Sequence, residues 1–130
     1  MGPRSVLTVR DLPEAMNDWR FRHGRFRPVV QFIMDWNDLP QRRAEMLCGG
    51  VAPRGGTEGD LALVAAVVHG LCERDGIGVP DWVWSQRLEL PVTMSGRPAD
   101  SDWGRWVVSQ APPVCADHGV FFEADLLAAR

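Results

Sequence analysis

Two histidine–cysteine pairs contain the side chains of this 130-residue chain that are best suited to chemistry. His69 and Cys72 stand three apart in an apolar stretch, and Cys115 and His118 repeat that spacing near the C-terminus. Residues three apart share a helix face, so each pair could supply two ligands to a Cys2His2 zinc site. Neither pair has the Cys-x-x-Cys form of a zinc knuckle, and cysteine is often buried without a metal. Zinc is therefore the less favoured alternative, and we assign no metal ligand or cofactor.

A cysteine nucleophile with a histidine base is a second chemical use of the same residues. No signature of a cysteine enzyme surrounds Cys72 or Cys115, and no serine lies in a Gly-x-Ser-x-Gly elbow. Acidic pairs such as Asp100 and Asp102 fit loops and helix caps better than a catalytic site. We therefore predict a protein that is not an enzyme and has no catalytic residues.

A basic segment near the N-terminus is the first candidate contact surface. All 14 basic residues of the chain are arginines; residues 1–43 carry a net charge of +3 and the remainder −6. Four of these arginines alternate with aromatic side chains: Arg20, Arg22, Arg25 and Arg27. Such a segment suits an acidic protein partner or, as an alternative, nucleic acid, whose bases stack on rings while arginine contacts phosphate.

Two tryptophans, Trp82 and Trp84, are the second candidate contact. Closely spaced tryptophans are most often core residues with a hydrogen-bonded ring nitrogen, but they are also common anchors of protein interfaces. Both interpretations stay open from the sequence. We predict that these two residues and the basic segment bind a protein partner.

One apolar helix must position these residues. Apolar side chains recur at helical spacing from Leu61 to Cys72 and cover every face, a pattern typical of a buried helix. Thr57 and Asp60 have the spacing of a capping box, and Gly76 suits a left-handed stop. The sequence therefore predicts a central helix over 58–75.

Shorter elements surround this helix. Asp11 and Asp38 are predicted N-caps, and Trp103, Trp106 and Val107 are predicted to share one side of a helix. The predicted helices are 13–22, 28–37, 40–47, 102–110, 114–118 and a tail at 123–129. Strand-like segments are predicted at 87–94, where Pro91 favours an edge, and at 118–122. The fold class is thus a mainly α bundle around one buried helix, with at most a minor β element near the C-terminus.

Length and composition favour one domain. We predict a loose lead-in over 1–12 and a single helical domain over 13–130. No apolar run approaches a membrane span, and no signal-peptide pattern opens the chain. Three cysteines at irregular spacing indicate reduced thiols and a cytoplasmic protein.

Residues 26–130 resemble a known family. The resemblance rests on Phe32-x-x-x-Trp36, on a Leu-Val-Ala-Ala-Val-Val helix, on Gly76-x-x-Val79-Pro-Asp-Trp82, and on Ala111-Pro-Pro followed by His118-Gly-Val-Phe-Phe. It is similar to the C-terminal domain of small helix-turn-helix-associated, antitoxin-like proteins from GC-rich bacteria, which often lie beside a nucleotidyltransferase-like protein. The chain departs from the family at Cys115, where an aromatic residue is more usual.

The resemblance implies a regulator-associated or antitoxin-like interaction module. Its expected partner is a protein, with a nucleotidyltransferase-like toxin as one candidate and a homodimer as another. A small nucleic-acid-binding regulator and a zinc-stabilised domain are the alternatives. The family has no established catalytic residues to transfer to this chain.

Overall fold

The computed structural model describes residues 5–18 and 24–130, and this part of the chain has a mainly α fold. The α-helices are α1 (Leu12–Met16), α2 (Arg27–Asp38), α3 (Arg43–Met46), α4 (Glu58–Asp75), α5 (Asp102–Gln110) and α6 (Val114–His118). The strands are β1 (Val92–Thr93) and β2 (Val120–Phe121), and 3-10 turns cover Pro40–Arg42, Cys48–Gly50, Asp81–Ser85 and Ala124–Ala128. The predicted fold class, including its minor β element, is confirmed.

Helix α4 begins and ends where the sequence predicted. The Thr57 hydroxyl accepts a hydrogen bond from the Asp60 backbone N–H at 3.1 Å, and the Asp60 carboxylate accepts one from the Thr57 N–H, also at 3.1 Å. This reciprocal capping box satisfies two backbone donors that a helix N-terminus leaves unpaired. Gly76 then adopts φ 69°, ψ 29°, the left-handed conformation that ends a helix without a steric penalty.

The rest of the fold packs around α4, which is buried on nearly every face. Its residues from Ala62 to Cys72 are all buried, and α1, α6, β2 and the turn Asp81–Ser85 contact it. Helix α2 adds Phe32, Ile33 and Trp36 to the same core. Among the described residues, no helix combines the length and the apolar character that crossing a membrane requires.

A polar cluster fixes the end of α4 to α2. The Trp36 indole N–H donates to the Asp75 carboxylate at 2.7 Å, and the Arg43 guanidinium lies over the Trp36 ring, 5.2 Å from its centroid. Hydrogen bonding from Arg74, with further help from Trp36, lowers the pKa of Asp75 to about 2. The carboxylate is therefore charged at any physiological pH and keeps these partners together.

The N-terminal helix is shorter than predicted. It ends at Met16 rather than near Arg22, and residues 19–23 lie outside the described part of the chain. The Asn17 amide donates to the Pro13 carbonyl at 2.9 Å and to the Asp60 carboxylate at 3.1 Å, contacts that end α1 and fix it to α4. Asp11 occupies the N-cap position of α1 as predicted, although its side chain makes no capping hydrogen bond.

The predicted lead-in includes buried residues. Val9 is fully buried and its backbone N–H donates to the Met46 carbonyl at 2.9 Å. Leu12, at the start of α1, is also fully buried. Val9 and Leu12 therefore belong to the packed structure, although both fall within the predicted lead-in.

Three further predictions need correction in detail. The predicted helix over 40–47 is divided into a 3-10 turn and the short α3, and Leu39 rather than Asp38 precedes it. The strand predicted over 87–94 is reduced to β1, since Pro91 has no N–H to offer a neighbouring strand. The predicted helical tail is present and takes the 3-10 form over Ala124–Ala128.

The strands form a parallel pair that closes the C-terminal half. Val92 pairs with Val120 and Thr93 with Phe121. Because parallel strands require a long crossover connection, α5 and α6 lie between them in the chain. This arrangement places α5 against β1 and α6 against α4, and it positions the two regions described next.

Candidate functional site

The two histidines of the predicted zinc set meet in the interior. Nδ1 of His69 on α4 lies 3.0 Å from Nε2 of His118 on α6, and both side chains are buried. Nδ1 of His118 lies 2.6 Å from the Gln86 carbonyl oxygen. On the other side, Nε2 of His69 lies 3.4 Å from the exposed Glu73 carboxylate.

These distances fix the tautomers. A carbonyl oxygen can only accept, so His118 donates from Nδ1 and its Nε2 carries the lone pair that accepts from His69 Nδ1–H. Burial, with a further contribution from His69, lowers the pKa of His118 and favours its neutral form.

The two cysteines do not complete a metal site. Cys72 and Cys115 are fully buried, and burial raises the pKa of each thiol to about 11. No group of three or more His, Cys, Asp or Glu side chains within residues 5–18 and 24–130 is arranged to hold a metal ion. The structure thus joins the histidines without the cysteines, which are protonated thiols in the core and poor nucleophiles.

The predicted basic segment is only partly described. Arg20 and Arg22 lie outside the described residues. Arg25 forms an ion pair with the buried Asp60 carboxylate, so its charge is already neutralised at the start of α4. Arg27, the first residue of α2, is exposed. Of the arginines that can be placed, one therefore holds α4 and its cap while the other faces solvent.

The two predicted contact tryptophans have different surroundings. Trp82 is only 9% exposed, so it offers a partner almost no surface, and its ring nitrogen has no hydrogen-bond partner among the described residues. Trp84 is 58% exposed and lies edge-on to the His69 ring, with centroids 4.7 Å apart. The structure brings only Trp84 to the surface.

A second pair of tryptophans is exposed on α5. Trp103 and Trp106 are each 46% exposed, and their rings stack with centroids 5.0 Å apart and planes 26° apart. We call these two residues the tryptophan face. The sequence grouped them with Val107 on one side of the helix, but only Gly104 and Val107 of α5 are buried.

Gly104 explains why α5 presents its tryptophans outward. A Cβ at this position would lie 2.2 Å from the Pro98 carbonyl oxygen and 2.7 Å from that of Ala99, so the helix packs directly against this backbone. The Ser101 hydroxyl accepts from the Gly104 N–H at 3.0 Å and caps the helix. Gly104 itself was the sequence signal for this packing, since a glycine inside a helix often marks a position where another part of the backbone approaches the helix closely.

A cavity of about 450 Å³ adjoins the tryptophan face. Most of its lining is aromatic or apolar, with two hydroxyls and two carboxylates. We call it the aromatic pocket; it is lined by Phe26, Thr93, Met94, Ser95, Trp103, Val107, Phe121, Phe122, Glu123, Asp125 and Leu126. Its volume falls in the range of about 300–1,000 Å³ that is typical of binding cavities.

The comparisons with known proteins leave the family unassigned. No family model, no curated protein and no solved structure matches this chain. The resemblance described from the sequence therefore remains a hypothesis, and function must be argued from the geometry.

Proposed function

We propose that this chain is a non-enzymatic module that binds another protein through the tryptophan face and the aromatic pocket. The observation that supports it best is the stacked, half-exposed pair of Trp103 and Trp106 beside a pocket of about 450 Å³. Tryptophan is enriched among the residues that dominate binding energy at interfaces, and such residues cluster beside pockets. Rings left in water here gain burial when a partner covers them.

The chemistry of the remaining side chains supports a binding role over catalysis. The histidines are occupied by each other and by the Gln86 carbonyl. Both core thiols are protonated at neutral pH because burial raises the pKa of each to about 11. A nucleophile and a base with access to a substrate are the minimum for covalent catalysis, and these groups lack that access.

The partner we propose is the protein encoded beside this chain, in an antitoxin-like or regulator-associated pair. This choice rests on the family resemblance, in which a nucleotidyltransferase-like protein is the neighbour. The alternative of a nucleic-acid-binding regulator is less supported, since Arg25 of the basic segment is already paired with Asp60.

The test is co-expression with the protein encoded by the adjacent gene, followed by calorimetric titration of the purified pair. Trp103→Ala and Trp106→Ala should each weaken the complex at least about tenfold, as expected for interface tryptophans. Leu90→Ala is the matched control, because Leu90 is 82% exposed and does not line the pocket.

Three results would decide against this proposal. One is the absence of any complex with the neighbouring protein. Another is a complex that tolerates both α5 substitutions. The third is a complex that Trp84→Ala abolishes and the two α5 substitutions do not. That result would assign the partner contact to Trp84, which the sequence predicted.

A further inference from the structure

We propose that the aromatic pocket receives an arginine side chain, carried by an otherwise apolar segment of the partner protein. This inference rests on the proposed function and names the chemistry that its binding site selects. Three features of the pocket lining support it: its aromatic rings, its two carboxylates and a pair of hydroxyls.

The walls suit a planar cation. Phe26, Trp103 and Phe121 all line the pocket. The face of an aromatic ring attracts a cation, and guanidinium stacks on rings more readily than ammonium because it is planar and weakly hydrated. The chain already uses this contact, since the Arg43 guanidinium lies over the Trp36 ring and that of Arg25 lies 5.7 Å from the centroid of Phe26.

The two carboxylates supply the charge. Glu123 and Asp125 line the same pocket, and neither forms an ion pair or a side-chain hydrogen bond among the described residues. Arg25, which precedes Phe26 of the pocket lining, is committed to Asp60. An incoming arginine would therefore meet two acceptors that no described side chain has claimed, and a fork of donors fits carboxylates better than a point charge does.

The hydroxyls provide further acceptors in the pocket lining. The Thr93 and Ser95 hydroxyl oxygens lie 3.0 Å apart and both belong to the pocket lining. Thr93 is buried, so its position is fixed by β1. A guanidinium carries five N–H donors, more than one carboxylate can accept, and these oxygens can take those that remain.

The pocket is too large and too apolar for a guanidinium alone. Met94, Val107 and Leu126 also line it, and its volume of about 450 Å³ exceeds that of one side chain. The tryptophan face continues this apolar surface on α5. The partner segment should therefore carry apolar residues on both sides of its arginine.

The probe that tests this is the blocked tripeptide acetyl-leucyl-arginyl-leucine amide, with citrulline replacing arginine in a neutral control of nearly the same shape. Binding is followed in the full chain by the NMR resonance of the Trp103 indole N–H, which is assigned by its loss in Trp103→Phe. The arginine peptide should shift this resonance at millimolar concentration. Its affinity should exceed that of the citrulline peptide at least about fivefold at low salt, and the difference should shrink as salt is added.

The double variant Glu123→Gln with Asp125→Asn should abolish the preference for arginine. The matched control, Asp81→Asn with Glu89→Gln, removes the same charge from exposed residues outside the pocket and should keep the preference. An unchanged amide spectrum shows that each variant is folded. The inference is overturned by equal affinity for the two peptides, by a preference that persists in the pocket variant, or by no shift with either peptide.

Failure of this inference differs from failure of the proposed function. Suppose that the neighbouring protein forms a complex that Trp106→Ala disrupts and that the pocket variant leaves unchanged. Binding through the tryptophan face is then supported, and the proposal that the aromatic pocket receives an arginine is wrong. If the arginine is right, the pocket variant should weaken that complex about tenfold and flatten its salt dependence. Without any complex, the proposed function itself fails.

Discussion

Two pairs of rings with nearly the same separation behave in opposite ways. The His69 and His118 rings lie 5.2 Å apart at 85°, buried and hydrogen-bonded, and the two residues, 49 apart in the chain, join α4 to α6. The Trp103 and Trp106 rings lie 5.0 Å apart at 26°, half-exposed, and they are neighbours on one helix. The polar pair holds the fold together while the apolar pair is left in water. Ring chemistry alone would have predicted the reverse, and the proposed function accounts for the exposed pair as a contact for a partner protein.

The largest effect we predict tests what holds the exposed pair in place. Gly104→Ala should lower the free energy of unfolding by about 3 kcal/mol, because its Cβ meets carbonyl oxygens that cannot move without the loop. Urea denaturation measures this. Gly78→Ala is the control, since nothing lies within 4 Å of a Cβ there, and it should change stability by less than about 0.5 kcal/mol. Similar values for the two variants would contradict the close packing of α5.

The next effect tests the buried pair. His118→Ala should cost about 2 kcal/mol, because it leaves the His69 N–H and the Gln86 carbonyl without their partner. His118→Gln should cost less, since its amide can donate and accept. Thermal and urea unfolding of both variants give the comparison. If His118→Ala proves as stable as the parent chain, the buried contact contributes nothing and the contrast between the two pairs fails.

The buried pair should also make stability depend on pH. The pKa of His118 is lower in the folded chain than its ordinary value of 6.5, so the unfolded chain takes up this proton first as pH falls. The contribution of neutral His118 to the free energy of unfolding is therefore complete above about pH 6.5. It is lost as the pH falls toward the pKa of His118 in the folded chain, with a slope of at most about 1.4 kcal/mol per pH unit. The charged and titratable groups near it are His69, Asp117 and Arg87, with Glu73 beyond His69.

Denaturation at pH 7.5, 6.5 and 5.5 tests this dependence. The parent chain should lose stability over that range, and His118→Gln should lose less. Asp75 does not interfere, because its pKa of about 2 confines its own effect to pH values below its ordinary 3.8. A variant and parent with parallel pH profiles would show that His118 does not take part.

The smallest effect compares two exposed tryptophans. Trp84→Ala should cost about 0.5–1 kcal/mol, because its ring contacts His69 edge-on. Trp106→Ala should cost less than about 0.5 kcal/mol, because its ring is 46% exposed and, among the described aromatic residues, stacks on a neighbour in the same helix. Equilibrium unfolding of the two variants in parallel provides the measurement. A larger loss for Trp106→Ala would assign the tryptophan face a structural role in place of a binding one.

The sequence by itself determined the elements whose signals are local. Thr57, Asp60 and Gly76 set both ends of α4, and apolar residues on every face required its burial. A capping box spans four residues and a left-handed stop one, so short stretches contain all the information they need. Proline at position 91 similarly limited the strand that precedes α5.

Only the tertiary structure decided which of the chemically interesting residues meet. His69 contacts His118, and no group of three or more metal-ligating side chains forms among the described residues, although the spacing of both pairs allowed a four-ligand set. Trp82 is buried, whereas Trp103 and Trp106 are exposed. The two α5 tryptophans are exposed because Gly104, on the buried side of that helix, packs against the carbonyls of Pro98 and Ala99. Contacts between residues far apart in the chain depend on how whole elements pack, and no local pattern carries that information.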